Sequence, residues 1–351
     1  QPYIATFELT YRCNLKCAHC YLTPGDPYEE EMPVELWLRT IRELKELGVF
    51  YVTLTGGEPT LHPGFWELIA ELNRQNILIR LFTNATTLSE KDIDTLVTEN
   101  VRYVDISLHG ADAATHEAVT GVPGSFARAV ETVKRLRAAG VFVNLKGSLL
   151  KSNYATVCQM DTYMRALGGH PQLSPVITPK NDGSLEPLAE AVEAPEMCYV
   201  YDAYFARQNA EAPRNESKEA RPPVAMQCGA GFSTLAVAPN GEVLPCLQLR
   251  ASLGNVRRNA LTRIWHHSPL LLELDGLTSL PVSDCSGCEL ADYCMRCPGL
   301  ALIEEGSMWK PNPSACRMAQ NSKTASELHH ERMVAKRSNT KKNEAQRSPA
   351  S

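Results

Sequence analysis

Three cysteines near the N-terminus have a spacing that suits a metal cluster. They are Cys13, Cys17 and Cys20, and their pattern C-x3-C-x2-C directly follows an apolar run at residues 4–9. Three thiolates on one short loop can hold three irons of a [4Fe–4S] cluster. Because no fourth ligand is near, the fourth iron would stay open to a small molecule, as metal positions do in catalytic sites. The alternative is a structural zinc site or three unrelated buried thiols.

A second group of cysteines lies in the C-terminal part of the chain. Its members are Cys228, Cys246, Cys285, Cys288, Cys294, Cys297 and Cys316. Seven thiols in so short a stretch indicate metal ligation, and C-x2-C pairs also suit structural zinc. Cys158 and Cys198 fit neither group and are interpreted as buried thiols. Cysteines arranged as metal ligands in a chain of 351 residues predict a reducing compartment, the cytoplasm.

A regular scaffold must position these cysteines, and strand and helix signals alternate through the first half of the chain. The strand-like runs are residues 4–10, 51–55, 78–83, 103–108, 142–149 and 172–178, with helical patterns such as 34–47 between them. Strand–helix–strand crossovers are right-handed and make neighbouring strands parallel. The sequence therefore predicts an α/β fold with a parallel sheet, and its periodicity alone allows either a barrel or an open doubly wound sheet.

Polar residues alternate with apolar ones along several of these strands. In a barrel, outward side chains meet helices and inward side chains line the lumen. We therefore predict that Glu8, Asp105 and Lys146 point into a polar chamber as catalytic-site residues that position substrate or cofactor. Buried charges are costly unless paired, so Lys146 is expected near one of the two carboxylates or near the substrate site. The alternative is that these are ordinary mixed positions at strand ends.

The three-cysteine motif resembles that of the radical S-adenosylmethionine (SAM) superfamily, as does the segment Thr55-Gly56-Gly57-Glu58-Pro59 after the second strand. The resemblance implies a partial (β/α)6 TIM-type barrel over residues 1–180 and a SAM-binding [4Fe–4S] cluster on the three cysteines. It also implies that SAM is bound by Gly56, Gly57, Glu58, Asn84 and Ser107. Turn capping is the alternative role for Asn84 and Ser107. The arginine that this family often carries after the fourth strand has no counterpart at residues 115–121.

The C-terminal cysteines, with the turn Pro239-Asn240-Gly241, resemble the SPASM domain of radical SAM enzymes. The resemblance implies a small cysteine-rich domain with a β-hairpin at residues 226–318, after a connecting segment at 181–225. It also implies two auxiliary [4Fe–4S] clusters, three clusters in all. One would lie on Cys285, Cys288, Cys294 and Cys316, and the nearer one on Cys228, Cys246 and Cys297 with a site that is open or filled by another residue. Two departures from the family are the C-x2-C spacing of Cys294 and Cys297 and the absence of an eighth cysteine in the hairpin. Composition predicts that residues 319–351 form a disordered tail.

The resemblance implies an oxidoreductase that cleaves SAM reductively to a 5′-deoxyadenosyl radical, which abstracts hydrogen from a substrate. Family members with SPASM domains mostly modify peptides or proteins, so a ribosomally made peptide is the expected substrate, for maturation, crosslinking or oxidation. A reductant such as flavodoxin or ferredoxin and a separate peptide-recognition protein are the expected partners. The alternatives are a small-molecule or tetrapyrrole substrate, or a non-catalytic iron–sulfur electron-transfer protein. The net charge of −5 argues against nucleic-acid binding. The sequence has no apolar run of about 18 residues, so it does not predict a membrane span.

Overall fold

The computed structural model describes residues 1–23, 31–205, 228–279 and 283–347. Its first half contains six parallel strands. They are β1 (Ile4–Glu8), β2 (Tyr51–Thr55), β3 (Leu78–Thr83), β4 (Tyr103–Ser107), β5 (Phe142–Ser148) and β6 (His170–Ser174). The last strand begins two residues and ends four residues earlier than the sequence predicts.

Helices connect these strands and cover one face of the sheet. They are α1 (Val34–Glu46), α2 (Phe65–Arg74), α3 (Glu90–Thr98), α4 (Ala113–Thr120), α5 (Ser125–Ala138) and α6 (Val157–Ala166). Strand residues such as Phe7 and Leu54 are fully buried in one core with helix residues such as Trp37 and Leu68. The opposite face carries the polar positions, so the alternation along the strands separates the two faces as the sequence predicts.

The order of the strands distinguishes between the two folds that periodicity left open. Neighbours in the sheet run β6-β5-β4-β3-β2-β1 without a reversal. A doubly wound sheet reverses its strand order at a switch point and carries helices on both faces. The uninterrupted order with helices on one face is that of a partial (β/α)6 barrel, which confirms the predicted fold class.

The C-terminal part continues the same sheet. Strand β7 (Thr234–Val237) pairs in parallel with β1, so that Thr234 lies opposite Ile4. A hairpin then leads to β8 (Glu242–Leu244), and Gly241 in its turn has φ +91°, a conformation that favours glycine. After β9 (Gly254–Asn255), the helices are α8 (Leu261–His267), α9 (Pro269–Ser279), α10 (Pro298–Glu305) and α11 (Pro313–Arg347), while α7 (Ala194–Val200) lies between the two halves.

Helix α11 corrects one prediction from composition. Residues 319–347 are helical rather than disordered, and residues 348–351 lie outside the described part. The helix packs on α7 through Ala325, which shares a small core with Met197, and His329 lies 2.6 Å from Asp202. Composition fails here because the helix is held by contacts with α7 and the residues beside it, and few apolar residues of α11 take part in them. Residues 206–227 of the predicted connecting segment also lie outside the described residues. No helix in the described ranges is both long and apolar enough to cross a membrane.

Candidate cofactor and metal site

The three N-terminal cysteines lie on the loop after β1, at the carboxyl edge of the sheet. Backbone hydrogen bonds fix this loop against the end of α4. The N–H of Lys16 donates to the carbonyl of Thr120 (2.9 Å), and the N–H of Ala18 donates to that of Val119 (3.0 Å). The loop is therefore held at both its base and its middle, with its thiols directed to one cavity.

The three thiols of this loop are free and half-buried. Burial raises the pKa of Cys13 to about 11 and that of Cys17 to about 12, and the neighbouring thiol of Cys20 adds to both shifts. Buried thiolates crowded in this way need a bound cation to stabilise them. Within the described ranges no three His, Cys, Asp or Glu side chains converge as the ligands of a single metal ion do. The thiols face a cavity of about 320 Å³, which leaves room for a bound group larger than a single ion.

The cavity wall is built from the ends of several strands and from the C-terminal domain. Besides the three cysteines, its lining includes Tyr11, His19, Tyr21, Gly56, Gly57, Phe82, Asn84, Ser107, His109, Leu247 and Gln248. Four of the five residues predicted to bind the cofactor are therefore brought together with the cysteines. The carboxyl ends of parallel strands meet at one edge, which explains why residues so distant in sequence share one wall.

The glycine pair packs against the cysteine loop at very short range. A Cβ on Gly56, whose φ is +133°, would lie 2.3 Å from the carbonyl oxygen of Thr10, and one on Gly57 would lie 2.3 Å from that of Arg12. The N–H of Gly57 donates to the Thr10 carbonyl (2.8 Å). Only glycine can bring the two loops this close, so the pair sets the position of the cysteine loop as well as leaving the backbone open to a ligand.

Glu58, the remaining predicted cofactor residue, lies behind the wall and not on the cavity lining. Its buried carboxylate accepts hydrogen bonds from the Asn84 N–H (2.8 Å) and from the hydroxyls of Thr83 (2.7 Å) and Thr60 (2.7 Å). Burial raises the pKa of Glu58, while these hydrogen bonds act in the opposite direction. The carboxylate thus ties the end of β2 to the end of β3 and orients Asn84, whose side chain lies 3.8 Å from the Cys13 sulfur.

Glu8, at the end of β1, is fully buried and faces a residue that the sequence analysis did not identify. Arg250 of the C-terminal domain donates to Glu8 Oε2 at 2.6 Å and to the Tyr11 hydroxyl at 2.6 Å. The Tyr11 hydroxyl also donates to Glu8 Oε2 (3.0 Å), and Tyr21 donates to Oε1 (3.3 Å). No sequence pattern could reveal this partner, because 242 positions separate Arg250 from Glu8.

Asp105 and Lys146 form a second charged cluster, separate from Glu8. The Lys146 ammonium lies 3.3 Å from Asp105, while Arg80 donates to both oxygens of Asp105 at 2.5 and 2.7 Å. Burial lowers the pKa of Lys146, and Asp105 opposes that shift. Asp105 lies two residues before Ser107 on β4, so the two side chains are on the same face of the sheet and Asp105 is the farther from the carboxyl edge. The Lys146 ammonium lies 3.6 Å from the centre of the Phe82 ring, and that ring lines the cavity.

Two histidines of the wall were not identified from the sequence either. The rings of His19 and His109 are 4.7 Å apart, and the His109 Nδ1 accepts the N–H of Ser148 (3.2 Å). Burial lowers the pKa of His19 to about 4 and that of His109 well below its usual range. Both rings are therefore neutral at physiological pH. The position of His19 inside the three-cysteine motif was the one sequence signal that pointed to it.

The seven C-terminal cysteines separate into two sets in space. Burial raises the pKa of Cys246 to about 11, and the nearby thiols of Cys297 and Cys228 add to the shift. The other set comprises Cys285, Cys288, Cys294 and Cys316: burial raises the pKa of Cys285, Cys294 and Cys316, and the nearby thiol of Cys288 adds to each of these three shifts. One set thus offers three thiols and the other four.

Family models match both halves of the chain. Residues 7–154 match the radical SAM superfamily, and residues 228–298 match the SPASM iron–sulfur cluster-binding domain. The antilisterial bacteriocin subtilosin biosynthesis protein AlbA of Bacillus subtilis is 29% identical over 84% of this chain and 67% of its own length. The mycofactocin maturase MftC of Mycolicibacterium smegmatis is 30% identical over 84% of this chain and 77% of its own.

A solved structure shares the fold at lower identity. Streptococcus suis SuiB bound to its precursor peptide SuiA matches with a TM-score of 0.68 and 20% identity, over 90% of this chain and 76% of that one.

Proposed function

Because the chain belongs to the radical SAM superfamily and carries a SPASM domain, we propose that it is a maturase of a ribosomally made peptide. The carrying observation is the set of three free thiols on one loop, which share a cavity with the glycine pair after β2. The radical SAM barrel would comprise residues 1–180, the connecting segment 181–225 and the SPASM domain 226–318. AlbA is named for the biosynthesis of a bacteriocin and MftC for the maturation of mycofactocin, and SuiB was solved with a precursor peptide bound, which supports a peptide as the substrate.

Cys13, Cys17 and Cys20 would hold the SAM-binding cluster. When bound, the cluster and SAM supply a 5′-deoxyadenosyl radical that takes a hydrogen atom from the substrate. Asn84 and Ser107 offer hydrogen-bonding side chains on the cavity wall. The rings of His19 and His109 form one side of it.

The two C-terminal cysteine sets would hold two auxiliary [4Fe–4S] clusters. The set of four thiols, which contains Cys285 and Cys316, suits a fully ligated cluster. The set of Cys228, Cys246 and Cys297 would leave one iron open or ligated by another residue. We therefore expect about twelve irons in the anaerobically reconstituted protein, counting four per cluster. A content of about four irons, with zinc in the remaining sites, would contradict the auxiliary clusters.

The charged residues of the barrel would position the reactants and not transfer protons. Glu8 is neutralised by Arg250 and orders the two tyrosines beside the cysteine loop. Asp105 is held by Arg80 and, through Lys146, supports the Phe82 ring on the cavity floor. A flavodoxin or ferredoxin would supply electrons, and a separate recognition protein would deliver the peptide.

The test is anaerobic incubation with SAM, reductant and peptides encoded beside the gene, followed by mass spectrometry of each peptide and measurement of 5′-deoxyadenosine. Replacing Cys13, Cys17 and Cys20 together by Ala should abolish 5′-deoxyadenosine while keeping the auxiliary iron. Cys158→Ala is the matched control, because this half-buried thiol lies outside all three cysteine sets. Undiminished SAM cleavage in the triple variant would refute the assignment.

Two further functions give different results in the same experiment. A small-molecule or tetrapyrrole enzyme would form 5′-deoxyadenosine and leave every peptide unchanged in mass. An electron-transfer protein would form none. The glycine pair and the three-thiol loop favour SAM cleavage over electron transfer, since an electron carrier needs neither.

A further inference from the structure

One short loop of the C-terminal domain touches both parts of the proposed machinery. The loop 246–250 begins at Cys246, which is proposed as an auxiliary-cluster ligand. Its next residues, Leu247 and Gln248, line the SAM cavity, and the buried Gln248 Nε2 has no hydrogen-bond partner within the described residues. A Cβ on Gly299 would lie 2.3 Å from the Gln248 carbonyl oxygen, so the loop is packed tightly against the start of α10.

The far end of this loop is anchored on the barrel by Arg250. Its guanidinium bridges Glu8 at the end of β1 and the hydroxyl of Tyr11, each at 2.6 Å. Tyr11 precedes the first cysteine of the SAM motif by two residues. Tyr21, which also bonds Glu8, directly follows the last one. Both ends of the cysteine loop are therefore tied to one carboxylate, and one cation from the other domain neutralises that carboxylate.

The burial of this group makes the arrangement rigid. The Glu8 side chain is fully buried, and that of Arg250 is 17% exposed. A carboxylate in such a place needs a cation and several donors, and here it receives three hydrogen bonds. The planar fork of an arginine can hold Glu8 and Tyr11 at the same time, which the single ammonium of a lysine cannot do with the same geometry.

We propose that Arg250 is a positioning residue through which the SPASM domain fixes the SAM-cluster loop and one wall of the SAM cavity. The inference rests on the proposed function, since it presupposes that SAM binds in this cavity. Without the Arg250 fork, Tyr11 and the loop 246–250 lose their common anchor. The cysteine loop and the wall then sample several relative positions, and SAM loses part of its preorganised site.

The experiment measures the SAM dissociation constant and the melting temperature of the anaerobically reconstituted full chain. Arg250→Lys keeps a positive charge beside Glu8 but loses the fork. We expect about tenfold weaker SAM binding with a melting temperature close to that of the wild type. Arg165→Met is the matched control, because Arg165 forms an exposed ion pair with Asp161 on the surface of α6, and it should bind SAM normally.

A double variant separates positioning from simple stability. Arg250→Met alone leaves the buried Glu8 charge unpaired and should destabilise the fold. Glu8→Gln together with Arg250→Met removes both charges, so we expect the melting temperature to recover while SAM binding stays weak. Recovery of SAM affinity together with stability, or wild-type affinity in Arg250→Lys, would overturn the proposal. Failure of the wild type itself to bind SAM would instead contradict the proposed function.

Discussion

Replacing Gly56 by Ala should disable the SAM site, and a second glycine of positive φ offers a control. Gly56 and Gly140 both have positive φ, +133° and +77°, which an alanine adopts only with strain. Around Gly140 no atom lies within 4 Å of an added Cβ, whereas at Gly56 the carbonyl oxygen of Thr10 lies at 2.3 Å. The two variants thus differ in whether the new methyl group meets the cysteine loop, and the alanine at position 56 must also adopt the more strained φ.

The magnitude follows from these distances. Backbone strain should destabilise Gly140→Ala by about 1 kcal/mol. In Gly56→Ala the methyl must move from 2.3 Å to an ordinary contact of about 3.4 Å, so the cysteine loop is displaced by about 1 Å. The hydrogen bond from Gly57 to Thr10 is also lost or stretched, and the total cost should reach about 3 kcal/mol. A 1 Å misplacement near reacting groups can lower a rate by about 100-fold.

The assay is the rate of 5′-deoxyadenosine formation by the reconstituted protein with SAM and reductant, together with iron content and thermal melting. We expect Gly140→Ala to keep its rate and its iron. In Gly56→Ala the rate should fall by about 100-fold, beyond what its lower melting temperature explains. A Gly56→Ala protein with the iron content and rate of the wild type would show that the close approach of the two loops is unimportant.

Two other substitutions test the charged cluster and the buried histidines. Lys146→Met should slow peptide modification but should not change the rate of SAM cleavage measured in the absence of peptide. Its stability cost should be about 1 kcal/mol, since Arg80 still pairs with Asp105. Normal peptide turnover would make the residue only structural. Burial lowers the pKa of His116 to about 4, below its unfolded value of 6.5. The contribution of the neutral ring to folding stability is therefore fully present above pH 6.5 and is lost as the pH falls toward 4. The loss amounts to about 3 kcal/mol at pH 4. His116→Asn keeps an acceptor for the backbone N–H of His109 and should reduce the slope of stability against pH between 6.5 and 4 in urea unfolding, while His19 and His109 still contribute to it. An unchanged slope would contradict the burial argument.

The sequence allowed prediction of those features that lie within short segments. The six strands, the helix pattern at residues 34–47 and the position of the cysteine loop depend on local periodicity and spacing, and the structure has them nearly at the predicted bounds. The position of Lys146 beside Asp105 followed from the cost of an unpaired buried charge, and the structure has that contact. Such arguments need only one strand or two neighbouring strands.

Contacts between distant segments could not be predicted. Arg250 lies far from Glu8 in the chain, and nothing in its surrounding sequence marks it as the partner of a buried carboxylate. Glu58 belongs to a motif that suggested ligand binding, but its hydrogen bonds to Thr83 and Asn84 depend on how β2 and β3 end side by side. The helical C-terminus was missed because its stability comes from packing on α7 and not from its own composition.

The pairing of β1 with β7 also constrains the order of events during synthesis. β1 leaves the ribosome before β7, and within the described residues one of its two edges is paired by residues 234–237. Until that segment emerges, β1 presents an unpaired edge that another chain could join. The wall formed by Leu247 and Gln248 emerges later still, so the SAM cavity cannot close before most of the chain has been made. A nascent or truncated chain ending before residue 234 would therefore leave this edge of β1 open to pairing with another chain, and the proposed N-terminal cluster would reach its final environment only after the C-terminal domain has been made.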